Sequence, residues 1–241
     1  MAYYKLETIR KYIAKMNETM NHYSAVYTAD EFKTFCDVSI SAGNKKIGRV
    51  MNVSLAPILT CPNCTECMHL CYDIKANIQY GNVLNARARN TVLALEHESR
   101  YFQAIRYAIG KRHKNKYFRW HVGGDIPNYS YFENMVQIAK DYPDFIFWTY
   151  TKNYFIVNEY CDRNGKDAIP HNLTIMFSEW DGMKMINPYR FPEFSCKLKD
   201  GNKNHDAVYF EKLYRCPGNC DICKALHRGC IAGETTYADE H

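Results

Sequence analysis

The chain has 241 residues, a formal net charge of +5, 46% hydrophobic and 24% charged residues. That is ordinary globular composition, and no window carries the apolar run a membrane-spanning helix needs. The charge permits contact with nucleic acid without arguing for it, and the length suits one sizeable core, α/β barrels of this size being routine. The first residues, Met1-Ala2-Tyr3-Tyr4-Lys5, lack an apolar h-region, so no signal peptide and no membrane partner is expected. The expected location is the cytoplasm, where thiols stay reduced. Twenty Tyr, 12 Phe and 3 Trp fit a polar cavity or a base-stacking surface, and equally a compositional habit of the source genome.

Residues 1–23 read as an amphipathic helix, with Tyr4, Ile9, Tyr12, Ile13 and Met16 near helical spacing. Thr28-Ala29-Asp30-Glu31 is a capping box that predicts a short helix through Phe32, Phe35 and Cys36. Cys36 is isolated and reads as a small buried apolar residue. Gly43-Asn44-Lys45-Lys46 signals a turn, and residues 47–55 read as the first strand. After Tyr72 a long helical region runs to about Gly110 with a break at Gly81-Asn82. Within it Arg87 and Arg89 lie two apart and do not share a face. The basic run Lys111-Arg112-His113-Lys114-Asn115-Lys116 reads as a solvated loop rather than a phosphate patch.

A strand–helix rhythm follows. Residues 117–122, 145–150 and 173–178 are predicted strands, and 129–140 and 154–161 predicted helices. Residues 183–206 read as a long loop, and Ala207-Val208-Tyr209-Phe210 as a last short strand. The predicted fold is α/β, an incomplete (β/α) barrel in one domain. Residues 1–46 form an N-terminal helical segment, 47–182 the barrel-like core, and 183–241 a loop and cysteine-rich C-terminal tail.

Eight of the eleven cysteines fall in two compact groups. Cys61, Cys64, Cys67 and Cys71 are spaced C-x2-C-x2-C-x3-C, and Cys216, Cys220, Cys223 and Cys230 are spaced C-x3-C-x2-C-x6-C. Short spacings let thiolates converge on one point without closing a long loop, as a metal or an iron–sulfur cluster needs. The expected cofactors are one or two iron–sulfur clusters, of 4Fe-4S type. Structural zinc is the alternative, because C-x2-C pairs also build zinc knuckles. Disulfides are disfavoured in a reducing compartment. The second group crosses Lys224, His227 and Arg228, whereas the first carries Glu66 and Asp73. By Coulomb reasoning the C-terminal cluster is expected to have the higher reduction potential.

Polar residues collect where the predicted strands end: His121 with Asp125, Thr149 with Lys152, and Ser178 with Glu179. In a parallel barrel those ends share one rim, and the first cysteine group lies on it. His121, Asp125 and Lys152 are therefore the candidate catalytic residues toward an unknown substrate. His121 also reads as a hydrogen-bonded core histidine, and Lys152 equally as an exposed loop lysine. Gly123-Gly124 allows close backbone approach to a ligand.

Ser54-Leu55, Thr60-Cys61-Pro62, Cys67-x3-Cys71-Tyr72, Ala86-Arg87-x-Arg89-Asn90, Arg119-x-His121-x-Gly123-Gly124-Asp125 and Tyr150-Thr151-Lys152 together resemble the gene product 88 family of phages and mobile elements. The resemblance covers roughly residues 47–182, with a comparable cysteine-rich tail. It implies mobile-element origin and cysteines set for a metal. More loosely the chain resembles radical S-adenosylmethionine proteins, which would make Gly123, Gly124, Arg87 and Arg89 cofactor contacts. It departs from them in placing its C-x3-C-x2-C at the C-terminus and in offering a fourth cysteine after the first strand. The rival from another class is a zinc-stapled nucleic-acid-binding protein using Arg87, Arg89 and the 111–116 run on phosphates.

Overall fold

A computed structural model describes residues 3–27, 37–112 and 114–240. The capping box at Thr28, the short helix through Cys36 and His113 of the basic run lie outside the described residues.

Helix α1 spans Leu6–Val26 and buries Ile9, Tyr12 and Met16. Strand β1 is only Met51–Asn52. The predicted strand is shortened because the chain turns on itself first: Asn44 Oδ1 accepts from Lys46 N and Ile47 N, and Val50 N donates to Gly48 O. Past β1, Leu55 N still donates to Gly123 O at 2.9 Å. Three helices follow: α2 at Tyr72–Gln79, α3 at Gly81–Glu96 and α4 at Glu98–Gly110. The break before Gly81 agrees with the sequence reading. The break at His97 does not, and it arises where that residue leaves helical geometry (φ −136°, ψ 46°).

Next come β2 at Tyr117–Arg119, α5 at Tyr129–Asp141, β3 at Ile146–Thr151, α6 at Tyr154–Asn164 and β4 at Leu173–Ser178. The C-terminal third corrects the sequence reading. The polar stretch read as a loop contains strand β5, Glu193–Lys197. The segment read as a strand is helix α7, Ala207–Glu211. Asp206 caps that helix by accepting from Tyr209 N at 2.9 Å, and this local bond outweighs the β-propensity of Val208 and Tyr209. Strand β6 (Tyr214–Arg215), helix α8 (Cys220–Leu226) and strand β7 (Thr236–Asp239) complete the chain.

All seven strands lie in one sheet of order β1-β2-β3-β4-β5-β7-β6, and every ladder is parallel. The fold is thus α/β. Among the described residues no ladder joins the edge strands β1 and β6, so the sheet is open. A parallel sheet needs cover on both faces. Alternation assigns the two sides. Phe118, Trp120, Phe147, Ile175 and Phe177 point to a core shared with Phe102, Phe132 and Val157 of the helices. Val50, Tyr117, Trp148, Tyr150 and Met176 point the other way, where Cys220, Cys223, Cys230 and Ile231 cover them. No helix among the described residues is long and apolar enough to cross a membrane.

Candidate metal centre

The first cysteine group occupies the loop between β1 and α2. A short 3-10 helix, Glu66–Leu70, carries Cys67 and brings Cys71 to the start of α2. Cys64 Sγ and Cys67 Sγ stand 3.8 Å apart. All ten described cysteines are unpaired, so none is spent on a disulfide. Burial pushes the Cys61 thiol well up and Cys71 up to about 11, whereas the Cys64 hydrogen bond, with Lys152 nearby, pulls Cys67 down. Among the described residues no three His, Cys, Asp or Glu side chains already converge as a set that could hold a metal ion.

Asp125 and Lys152 border this group. Asp125 is 4% exposed; Oδ1 accepts from Ile126 N at 2.7 Å and Oδ2 from Lys152 N at 2.8 Å. It therefore ties the end of β2 to the end of β3. Burial raises its pKa despite those donors. Lys152 donates from Nζ to Ser178 Oγ at 3.2 Å, and its charge reaches Cys61 and Cys67. Asn63 Nδ2 donates to Lys152 O, fastening the cysteine loop to the same strand end. The structure thus brings Asp125, Lys152 and the first cysteine group together.

His121 is elsewhere. It is 3% exposed, with Nε2 3.0 Å from Tyr131 Oη and Nδ1 3.3 Å from Thr149 Oγ1. Both ring nitrogens face protein partners on the helix side of the sheet. Burial, and secondarily the charge of Arg119, lowers its pKa to about 3. An ordinary histidine titrates near 6.5. Between those values the unfolded chain binds a proton that the fold refuses, so stability is lost as pH falls from about 6.5 toward 3. At pH 4.5 this amounts to about 2–3 kcal/mol. His121→Asn, which tolerates the left-handed φ of +52°, is expected to reduce that loss, measured as urea midpoints at pH 7 and 4.5. An equal acid loss in both proteins would refute the assignment.

Gly123 and Gly124 do permit a close approach, but the approaching atoms are the chain's own. A Cβ on Gly123 would lie 1.8 Å from Asp73 Oδ2, and one on Gly124 2.7 Å from Thr60 Oγ1 and 2.8 Å from Leu55 Cβ. Arg87 is engaged too, its Nε and Nη2 forked onto Asp73 at 3.2 and 3.1 Å. Arg89 donates to Ser39 Oγ in the N-terminal segment. The two arginines indeed serve different sides, and neither faces the cysteine group as a free cation.

The second cysteine group forms the crossover from β6 to β7. Cys216 directly follows β6, Cys220 and Cys223 lie on α8, and Cys230 lies in a 3-10 turn. Burial pushes Cys220 up to about 12. Lys224 pairs with Asp221 and Arg228 with Glu234, so these two cations of the basic stretch are already matched by acids. The expectation that they raise a cluster's potential therefore loses most of its footing. The cation beside this group is Arg119, whose guanidinium lies 4.8 Å from the Tyr150 ring centre. Arg119, Trp148 and Tyr150 were not singled out as site residues by sequence reasoning. The signal was the alternation of Tyr117-Phe118-Arg119-Trp120, which sends Arg119 to the face opposite Phe118.

A cleft of about 1000 Å³ opens beside the first group, between residues 62–66, helix α6 and residues 180–188.

Fold and site together define an open, all-parallel α/β protein with a free-cysteine group following each edge strand. The chain belongs to the Gene product 88 family, whose model matches residues 37–238. No curated protein and no solved structure matches it.

Proposed function

We propose that this is an iron–sulfur protein of phage or mobile-element origin, built on an incomplete barrel. Cys61, Cys64, Cys67 and Cys71 hold one cluster and Cys216, Cys220, Cys223 and Cys230 a second. The observation that carries the reading is the placement of two groups of four free thiols, one after each edge strand of a parallel sheet. Active centres of α/β proteins gather at carboxyl strand ends. The barrel reading is supported by the last crossover, where Cys220 N donates to Lys46 O at 3.0 Å and so links the exit of β6 to the approach to β1. Loading draws the thiols inward, since they do not yet converge. Bound iron would supply one-electron chemistry. Asp125 braces the two strand ends, and Lys152 presents a cation to the cluster and to an anionic substrate.

The radical S-adenosylmethionine reading places that cofactor at Gly123-Gly124-Asp125, a strand end now packed against Asp73, Thr60 and Leu55. It is an arm of the test rather than part of the core proposal. The zinc reading has one observation in its favour. A tetrahedral site with Zn–S near 2.3 Å sets sulfurs about 3.8 Å apart, and Cys64 and Cys67 stand at that distance. Its extension to nucleic acid is weakened because Arg87 is committed to Asp73.

Purification without oxygen, followed by iron, sulfide and zinc analysis, decides between them. The expected product is brown, with iron and sulfide in near-equal amounts, and Lys152→Ala keeps that content. A colourless protein with stoichiometric zinc would replace this reading by the zinc one. Equilibrium dialysis with S-adenosylmethionine tests the cofactor separately.

A further inference from the structure

The second face of the sheet holds two buried hydrogen-bond donors with no acceptor. Arg119 on β2 and Trp148 on β3 are register partners, so their side chains leave the same face side by side. Arg119 Nε and Trp148 Nε1 are each buried and without a hydrogen-bond partner. Trp148 is 0% exposed and packs in one cluster with Cys223 and Cys230, with Tyr150 and Cys220 against it. Arg119 makes no ion pair with a carboxylate among the described residues. Leaving a buried donor unsatisfied is costly, and more so for a charged one. Such a face calls for an anionic, acceptor-rich occupant. Both orphan atoms are closed off from outside, so the occupant must come from what already packs there, and the cysteine sulfurs of that cluster are its groups that become anionic on binding a metal. A thiol is a weak acceptor, whereas a metal-bound thiolate is a charged one.

We propose that Cys216, Cys220, Cys223 and Cys230 assemble a net-negative thiolate centre against this face, with Arg119 as its counter-charge and Arg119 Nε and Trp148 Nε1 as donors to its sulfurs. The inference rests on the reading that these cysteines bind metal, and it adds the two positioning residues. The Arg119 guanidinium lies 4.8 Å from the Tyr150 ring centre, and Tyr150 packs against the cluster that holds Cys223 and Cys230. Donors to the sulfurs and a nearby cation both stabilise the more negative state, and so raise a cluster's reduction potential.

The test uses the full chain purified without oxygen, as wild type, Arg119→Gln, Arg119→Lys and Trp148→Phe. Cys223→Ala identifies the C-terminal centre by the electron paramagnetic resonance signal it removes. Arg119→Gln and Trp148→Phe are each expected to lower the midpoint potential of that signal and leave the other unchanged. Arg119→Lys should restore most of the shift, which a merely structural residue would not show. If the centre holds zinc, the readout is release to a chelator, several-fold faster in Arg119→Gln and rescued in Arg119→Lys. Wild-type potential or release rate in Arg119→Gln would overturn the inference while leaving the metal reading intact. Should that variant not fold, an unshifted Trp148→Phe overturns it instead. Unchanged metal content in Cys223→Ala would remove the centre itself, and the inference with it.

Discussion

Replacing Asp73 by alanine will cost the fold about 3–5 kcal/mol, the range for removing one partner of a buried ion pair. Asp73 is 2% exposed, and both its oxygens receive the Arg87 fork. Asn77 Nδ2 donates to the Asp73 carbonyl at 2.7 Å and lies 3.3 Å from Oδ2. The carboxylate also fills the space above Gly123, so its loss leaves both a lone guanidinium and a void beside the end of β2. Denaturant unfolding measures the effect, and a loss below about 1 kcal/mol would show the pair to be dispensable. The double variant Asp73→Leu/Arg87→Met should recover much of the stability, because the cost lies in the unpaired charge rather than in a missing attraction.

On the proposal that the first cysteine group holds a cluster, losing that cluster is expected to destabilise the fold strongly. Binding free energy of a structural thiolate metal is folding free energy, about 10 kcal/mol or more in small metal domains, against a typical total stability of about 5–15 kcal/mol. Cys67→Ala and Cys71→Ala should each lose one centre and melt broadly at lower temperature, because the loop they anchor joins β1 to α2. Thiol ligands must deprotonate to bind, and burial holds Cys61 and Cys71 above the ordinary thiol range. Metal loading should therefore weaken as pH falls and release protons as it forms. Metal analysis with a thermal melt checks both statements. Unchanged metal content in both variants would sink them.

The central strands and helices were legible because periodicity was strong there. Leu173–Ser178 was read with its observed bounds, and Tyr129–Asp141 to within one residue. The C-terminal third was not. Strands β6 and β7 have two and four residues and exist only through ladders to distant partners, such as Tyr214 with Thr236 and Cys196 with Ala238. Such pairing leaves little trace in local sequence. That Asp125 and Lys152 lie together beside the first cysteine group was legible, because a parallel sheet gathers its strand ends. Sequence reading sets Gly123-Gly124 for close approach to a ligand and Arg87 for a cofactor or a phosphate; the groups that occupy those places are the chain's own Asp73, Thr60 and Leu55. What sequence cannot supply in such a case is the identity of the partner.

The two cysteine groups, their short spacings and the α/β alternation could be read from the order of residues alone, since each is a property of neighbours within a dozen residues. Tertiary structure alone decided which face of the sheet the second group covers. It also decided that Arg87, Lys224 and Arg228 are matched by acids while Arg119 is not. The physical reason is that a charge's consequence depends on what lies a few ångströms away in space. Asp73 reaches Arg87 across a helix break, whereas Trp148 meets Cys223 and Cys230 only in the folded chain, far apart in sequence.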